Sequence, residues 1–384
     1  MNMRRFAALL LCCCMILSLL SMSASASAEG LPELYGVEAA LLIDAVTGKP
    51  VTAKAEDEQE EFAGLVRLPV LLEICLAFDE GRLFENTVVT VSPEAAAVRG
   101  ATAFLAPNER IAADLLLKAA VMLNAGDAVH ALIQALYPSA AAAAEAVSGR
   151  LASLGIEKSP SGYLCEGLSF SANEVAAICR ELAKSPSFLK YSSVYTDTLP
   201  HASASATELV NPNRLIRHYS GCYGLATGSV GSSHYCGAFI ARRGGTTFIA
   251  VLAGAGSSDA RFSAARELLD YGFSAYRTVE IKAEGEAVGE IPIKGGLMQV
   301  LSVITGGEVS ALMPVNDTKV TTECLLPPVL EAPVDEGQTV GLLKITDSSG
   351  APIAEVPLIA AHSVKKVGFS DCFMRLVSDW LGLE

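Results

Sequence analysis

The segment Val37-Glu38-Ala39-Ala40-Leu41-Leu42-Ile43-Asp44-Ala45-Val46-Thr47-Gly48-Lys49 decides how the rest of the chain is read. Its apolar run has the length of a strand, and Thr47-Gly48-Lys49 is a turn signal. Further on, the apolar period changes to that of helices, around 71–78, 112–123 and 128–136. The Ala-rich run 140–154 reads as a surface helix stopped by Gly155. Residues 173–183 form another helix, with Ser171 as its N-cap. Strand patterns at 237–242 and 246–253 are joined by Arg243-Gly244-Gly245, a hairpin signal. A helix over 261–271 closes the unit. Residues 29–276 are therefore expected to form one α/β (α+β) domain.

The pattern then shifts to short alternating strands between turns such as Lys294-Gly295-Gly296 and Asp347-Ser348-Ser349-Gly350. That predicts a small all-β domain over 277–367. In 368–384, Phe369, Phe373, Leu376, Val377 and Trp380 recur at helical spacing behind Ser370-Asp371. An amphipathic helix is expected there. Through 369–381 it could lie on a membrane surface or pack on the β-domain.

The N-terminus bears on compartment. Arg4 and Arg5 precede an apolar run from Phe6 to Leu20, and Ala26-Ser27-Ala28 is a small-x-small cleavage site. Residues 1–28 read as a signal peptide, so the chain is expected to be exported and extracytoplasmic, with membrane association left open. Two of the 28 basic residues leave with it, so 26 face 42 acidic ones, a net of −16. Such a charge argues against nucleic acid as a partner and against attraction to anionic lipid. Seven cysteines remain, at 75, 165, 179, 222, 236, 324 and 372. They are odd in number and show no CxxC or His-paired metal spacing, so free thiols are expected and no cofactor or metal. Cys222 and Cys236 are the two that could bridge adjacent strands.

The order of these segments resembles the low-molecular-mass penicillin-binding proteins that act as serine-type D-alanyl-D-alanine carboxypeptidases. The stretch 39–49 is similar to that family's first strand and turn. Asp114-Leu115-Leu116 to Asp127-Ala128 is similar to the helix pair around its second motif. Gly167-Leu168 with Ser169-Phe170-Ser171-Ala172 resembles the lead into its central helix. Asn211-Pro212-Asn213-Arg214-Leu215 and Tyr223-Gly224-Leu225-Ala226-Thr227-Gly228 resemble the approach to its third motif. Ala332-Pro333-Val334, Gly337-Gln338 and Val340-Gly341 resemble its C-terminal β-domain. The implied fold is a penicillin-binding/β-lactamase-like transpeptidase domain followed by the small all-β domain and the amphipathic helix. The serine β-lactamases share the core, but the appended domain and terminal helix speak against them.

The family uses S-x-x-K, S-x-N and K-T-G. By the resemblance these align with Gly64-Leu65-Val66-Arg67, Asn124-Ala125-Gly126 and Ala226-Thr227-Gly228. Gly64 can form no acyl-enzyme. Arg67 stays protonated where a lysine could give up its proton and act as a base. Gly126 lacks the amide, and Ala226 the second lysine. Of the key positions only Thr227 and Gly228 remain as substrate-binding candidates. Loss of one member of such a unit can cost about a millionfold in rate. Pro69 implies that the helix here starts near Arg67 or Leu68, or is kinked, because proline suits only a first turn.

Other serines and histidines offer less as nucleophile or base. Ser187-Phe188-Leu189-Lys190, expected in a loop, and Ser363-Val364-Lys365-Lys366, in the β-domain, fit S-x-x-K by spacing alone. Ser169, Ser171 and Thr227 have no evident base nearby in sequence. Histidines 130, 201, 218, 234 and 362 show no triad spacing. His130 reads as a helix-face residue and His234 as a strand or loop residue near the third motif. The resemblance thus implies a catalytically inactive homologue, with a peptidoglycan stem peptide or an envelope protein as partner and a role in cell-wall maturation. Two alternatives are an active carboxypeptidase with an unusual nucleophile and a structural or interaction protein of the envelope.

Overall fold

The computed structural model describes residue 34, residues 36–368 apart from 166, 203, 204, 308, 317, 318 and 349, and Phe373. The signal peptide expected at 1–28 lies outside them, as does the helix expected over 368–384 save Gly368 and Phe373.

Strand β1 (Ala39–Asp44) is buried at every position. It sits between the edge strand β2 (Pro50–Lys54) and a strand more than two hundred residues later. That strand is β6 (Thr246–Ala255), which pairs with β5 (His234–Arg243). The far edge of β5 carries two short strands end to end, β3 (Cys222–Gly224) and β4 (Thr227–Val230). β1 and β6 run antiparallel, from Ala39 opposite Ala253 to Asp44 opposite Phe248. Arg243 pairs with Thr246, and Gly244 and Gly245 hold φ of 53° and 87°. Two such residues make the hairpin loop whose twist matches its strands.

The sheet is covered on both faces, which is why β1 reads as an unbroken apolar run. Ala39, Leu41 and Ile43 point into one core, shared with helices α1 (Leu68–Asp79), α2 (Ala113–Leu123), α3 (Gly126–Leu136) and α5 (Ala172–Leu182). Ala40 and Leu42 point the other way, into a core with Phe248, Leu252 and the α6 (Ser258–Ala275) residues Phe262, Leu268 and Leu269. Each fully buried Leu or Phe contributes about 1.5–3 kcal/mol by removal from water. α6 approaches closely at Gly272, where a Cβ would stand 2.8 Å from Leu42 Cδ2 and 3.0 Å from Phe248 Cδ2.

Local signals explain the helix ends. Ser171 and Glu174 form a reciprocal capping box at the start of α5. The Ala-rich helix α4 (Ala140–Ser153) buries only Ala143, Val147 and Leu151, and Gly155 follows with φ 76°. α1 is fastened by its buried Glu73, which accepts from Arg82, Tyr137 and Arg150. Three donors satisfy a carboxylate that would otherwise be costly to bury.

Strands then occupy the chain from 276 to 360. Six of them form a sheet in the order Val320–Leu325, Thr339–Asp347, Pro352–Ala360, Val300–Thr305, Ala287–Lys294, Leu330–Glu331. Tyr276–Lys282 pairs separately with Val309–Pro314. Alternate residues such as Ile291, Leu301, Val303, Leu343, Ile345 and Leu358 fill a core of their own.

One expectation needs correction, that of a loop at 187–190. Ser187 and Lys190 lie on a short helix, Pro186–Ser192, instead of a loop, because Ser185 caps it and Pro186 suits its first turn. Cys222 and Cys236 are both free thiols. Their partners on β5 show why they do not bridge: Cys222 lies opposite Ala241, whereas Cys236 is itself on β5 opposite Gly228. Five residues of strand separate those levels, roughly 16 Å at 3.3 Å per residue, beyond disulfide reach.

Burial raises the thiols of Cys165 and Cys236 to about 12 and that of Cys222 to about 11. Cys75 and Cys179 are pushed up further by the same cause. Cys324 is exposed. Since the thiolate is the nucleophile, iodoacetamide at pH 8 is expected to label Cys324 in the native protein and leave Cys75, Cys165, Cys179, Cys222 and Cys236 unmodified until guanidinium is added. Peptide mass spectrometry reads this directly; native labelling of Cys75 or Cys179 would contradict the packing.

Candidate active-site cleft

Between the helical layer and the free side of β4 lies a cleft of about 930 Å³. Gly64, Arg67, Asn124, Thr227 and Gly228 all line it, so three segments far apart in sequence meet at one place. Gly126 and Ala226 stand behind its wall, Ala226 buried beside β5, where its carbonyl accepts from Ala238 N at 2.9 Å.

The floor begins with a 3₁₀ turn, Ala63–Arg67, in which Ala63 holds φ 48°. α1 starts at Leu68 with Pro69 in its first turn. Proline there lacks only an N–H that would have had no helical partner. Position 64 therefore sits in the turn before the helix. Asn124 ends α2 in the left-handed conformation, at φ 52° and ψ 42°, a region asparagine tolerates better than most residues. Its Nδ2 donates to Gly64 O at 2.6 Å, and Arg67 Nε reaches the same carbonyl at 3.4 Å.

Arg67 is almost fully buried, at 9% exposure. Its guanidinium occupies the space that side chains at 64 and 126 would use. A Cβ on Gly64 would lie 2.9 Å from Arg67 Nη2 and 3.3 Å from Asn124 Nδ2. A Cβ on Gly126 would overlap Arg67 Nη1 and come within 2.7 Å of Val98 Cγ1. Next to Gly126, buried Asp127 accepts from the amides of Ala103, Leu105 and Ala128 at 2.9–3.1 Å. Gly126 N donates to Ala101 O at 2.8 Å. These bonds hold the 101–105 wall to the start of α3.

The opposite wall is β4. A Cβ on Gly228 would stand 3.1 Å from Ala63 Cβ, Gly64 N and Leu65 Cδ1, so strand and turn are already in close contact. Arg261 reaches in from α6 and donates through Nη1 to Gly228 O at 2.9 Å and Cys236 O at 3.2 Å. Burial lowers its pKa, but a guanidinium starts so high that it stays charged at neutral pH.

Arg99, Arg261, Tyr235 and Glu61 also line the cleft. Sequence reasoning missed them, since each comes from a segment with no motif and only the fold brings them in. Among the described residues, the lining includes three arginines and one carboxylate, Glu61, but no lysine and no histidine. Its hydroxyls are Ser169, Thr227, Ser229 and Tyr235. Ser169 Oγ donates to Gln59 Oε1 at 3.4 Å. Ser171 does not line the cleft; it is buried in its capping box. Ser187 donates to Asp79, and Lys190 pairs with Glu85 and Asp114, away from the cleft. Ser363 Oγ accepts from Glu336 N in the C-terminal sheet region. His201 is held by Glu109 and Thr207, and His130 packs on the Tyr163 ring at 4.8 Å.

Residues 26–257 match the D-alanyl-D-alanine carboxypeptidase family (peptidase S11), and residues 276–366 match the penicillin-binding protein 5 C-terminal domain. The chain belongs to the D-alanyl-D-alanine carboxypeptidase family. It is 30% identical over 354 residues to the D-alanyl-D-alanine carboxypeptidase DacF of Bacillus subtilis, covering 90% of each chain. Penicillin-binding protein 5 of Haemophilus influenzae has a similar fold, with a TM-score of 0.76 at 19% identity over 88% of this chain and 99% of that one. A Streptococcus pneumoniae structure described as a peptidoglycan synthesis regulatory factor (PBP3) has a TM-score of 0.70 at 19% identity, over 86% and 99% of the two chains.

The contact among Arg67, Gly64 and Gly126 makes a checkable demand. Gly126 has a helical backbone, where alanine is normally favoured by about 1 kcal/mol. Gly126→Ala is instead expected to destabilise the protein by about 1–3 kcal/mol, as overpacking does. In an Arg67→Ala background the penalty should shrink by at least about 0.5 kcal/mol, a coupling read from urea denaturation of the four proteins. Additive effects would mean that the guanidinium does not fill that space.

Proposed function

We propose that this protein is a catalytically inactive D-alanyl-D-alanine carboxypeptidase homologue of the cell envelope, whose cleft binds peptidoglycan stem peptide or regulates wall maturation. One observation carries this reading. The position aligned with the serine nucleophile is Gly64, and the space beside it is filled by the guanidinium of Arg67. No ester can form to a residue without a side-chain oxygen, and a guanidinium does not accept a proton at ordinary pH. The hydroxyls that do line the cleft have no lysine or histidine beside them within that lining. Thr227 and Gly228 are the proposed substrate contacts. The arginines favour a ligand with a carboxylate, such as a peptide terminus, because guanidinium pairs with carboxylate through two parallel hydrogen bonds. The positive lining belongs to a chain of formal charge −14, so the preference is local and not a property of the whole surface. Export to the extracytoplasmic side follows from the leader expected at 1–28.

Purified protein incubated with a fluorescent penicillin is expected to show no covalent band after denaturation, and a pentapeptide ending in D-Ala-D-Ala should release no free D-alanine. Binding of that pentapeptide should still be detectable by titration calorimetry, and should weaken at least tenfold in Arg67→Ala or Arg99→Ala. A covalent β-lactam adduct on any cleft hydroxyl would overturn the inactive reading and favour an active enzyme with a different nucleophile. No adduct together with no peptide binding would favour a structural role in which the cleft is vestigial.

A further inference from the structure

Outside the arginine-lined cleft, Glu38, Glu60 and His234 bring one side-chain oxygen or nitrogen each within 4.8 Å of one another. They come from three separate segments. Glu38 precedes β1, and its side chain lies against Gly254, where a Cβ would overlap it. Glu60 is held by a bridge to Phe170, with Glu60 N donating to Phe170 O at 2.9 Å. His234 opens β5, opposite Val230 at the end of β4.

The hydrogen bonding fixes the histidine. Its Nε2 lies 3.0 Å from the carbonyl of Glu61. A carbonyl only accepts, so Nε2 carries the proton. In the neutral ring Nδ1 then has a lone pair, and it faces Glu38 Oε2 at 3.4 Å. Charge-assisted N–H···O bonds are typically about 2.7–2.9 Å, so 3.4 Å is slack for an imidazolium pair. It is close to the edge, roughly 3.4 Å, of a tetrahedron with metal–ligand bonds of about 2.0–2.1 Å. A ligating histidine also usually donates its other N–H to a carbonyl or carboxylate, as here.

We propose that Glu38, Glu60 and His234 form a binding site for a divalent transition-metal cation, of which Zn²⁺ is the type. Two carboxylate oxygens and one imidazole nitrogen make a mixed N/O set, and three protein ligands leave a fourth position for water. A cation there ties the lead into β1, the segment before the 63–67 turn, and the start of β5. Because Glu61 and Tyr235 line the cleft beside two of these ligands, the cation would also hold that rim together. The site does not depend on whether the cleft is catalytic.

The test is titration of Zn²⁺ into the full-length mature protein by calorimetry. It is done in a Cys324→Ser background, because the exposed thiol is itself a zinc ligand. One saturable site is expected. His234→Ala and Glu60→Gln should each weaken it at least tenfold, with unchanged circular dichroism. X-ray absorption at the zinc edge should show N/O ligation without sulfur. No saturable binding, or binding that survives both substitutions, would overturn the proposal and leave an ordinary histidine–carboxylate pair.

Discussion

The cleft depends on where one guanidinium goes. Arg67 is buried at the start of α1, and its planar end lies between Gly64 in the preceding turn and Gly126 at the start of α3. A side chain at either glycine would need that volume. Positions 64, 67 and 126 are thus one packing unit, and none can be read alone. Arg67 and Asn124 also converge on Gly64 O, so the turn is held by its carbonyl and not by a side chain. If the family's catalytic chemistry is absent, as proposed, its place has been taken by packing and not by a void.

The rest of the fold holds these parts at fixed distances. A sheet with helices on both faces supports the cleft from behind. Glu73 pins α1, and Asp127 ties the 101–105 wall to α3. Arg261 reaches through from the opposite layer to the carbonyls of Gly228 and Cys236, linking the two cores at the strand that forms the cleft's far wall. The walls and floor of the cleft are therefore fastened by bonds that come from both layers of the fold.

Much of the fold could be read in the sequence, because its signals are local. The β1 run, the Gly244-Gly245 hairpin, the Ser171 cap, the Gly155 stop and the helix start forced by Pro69 each depend on a few neighbouring residues. Of the cleft lining, Gly64, Arg67, Asn124, Thr227 and Gly228 are reached through the resemblance to the family's three motifs and not through any local signal. Arg99, Tyr235 and Arg261 enter it through tertiary folding and leave no local trace. Glu38, Glu60 and His234 escaped for the same reason: ligands separated by 22 and 174 positions have no spacing to recognise. The helix at 186–192 was hidden because a serine and a proline mark a helix start as readily as a loop. Whether Cys222 and Cys236 could bridge is left open by the sequence because it turns on register, which a sequence does not display.

The placement of β1 governs the order in which the molecule can be assembled. Its hydrogen-bonding groups on one side face β2, close in the chain, but those on the other belong to β6, from Ala39 opposite Ala253 onward. Until some 215 residues have been brought back on themselves, this fully buried strand has one open edge and one face still without its covering helix. Contacts this distant are slow to form, and an unpaired apolar edge invites other chains. The late hairpin of β5 and β6 can form early from local contacts and serve as the template on which β1 docks. The N-terminal strand would then be among the last to lock, and its docking closes both cores at once.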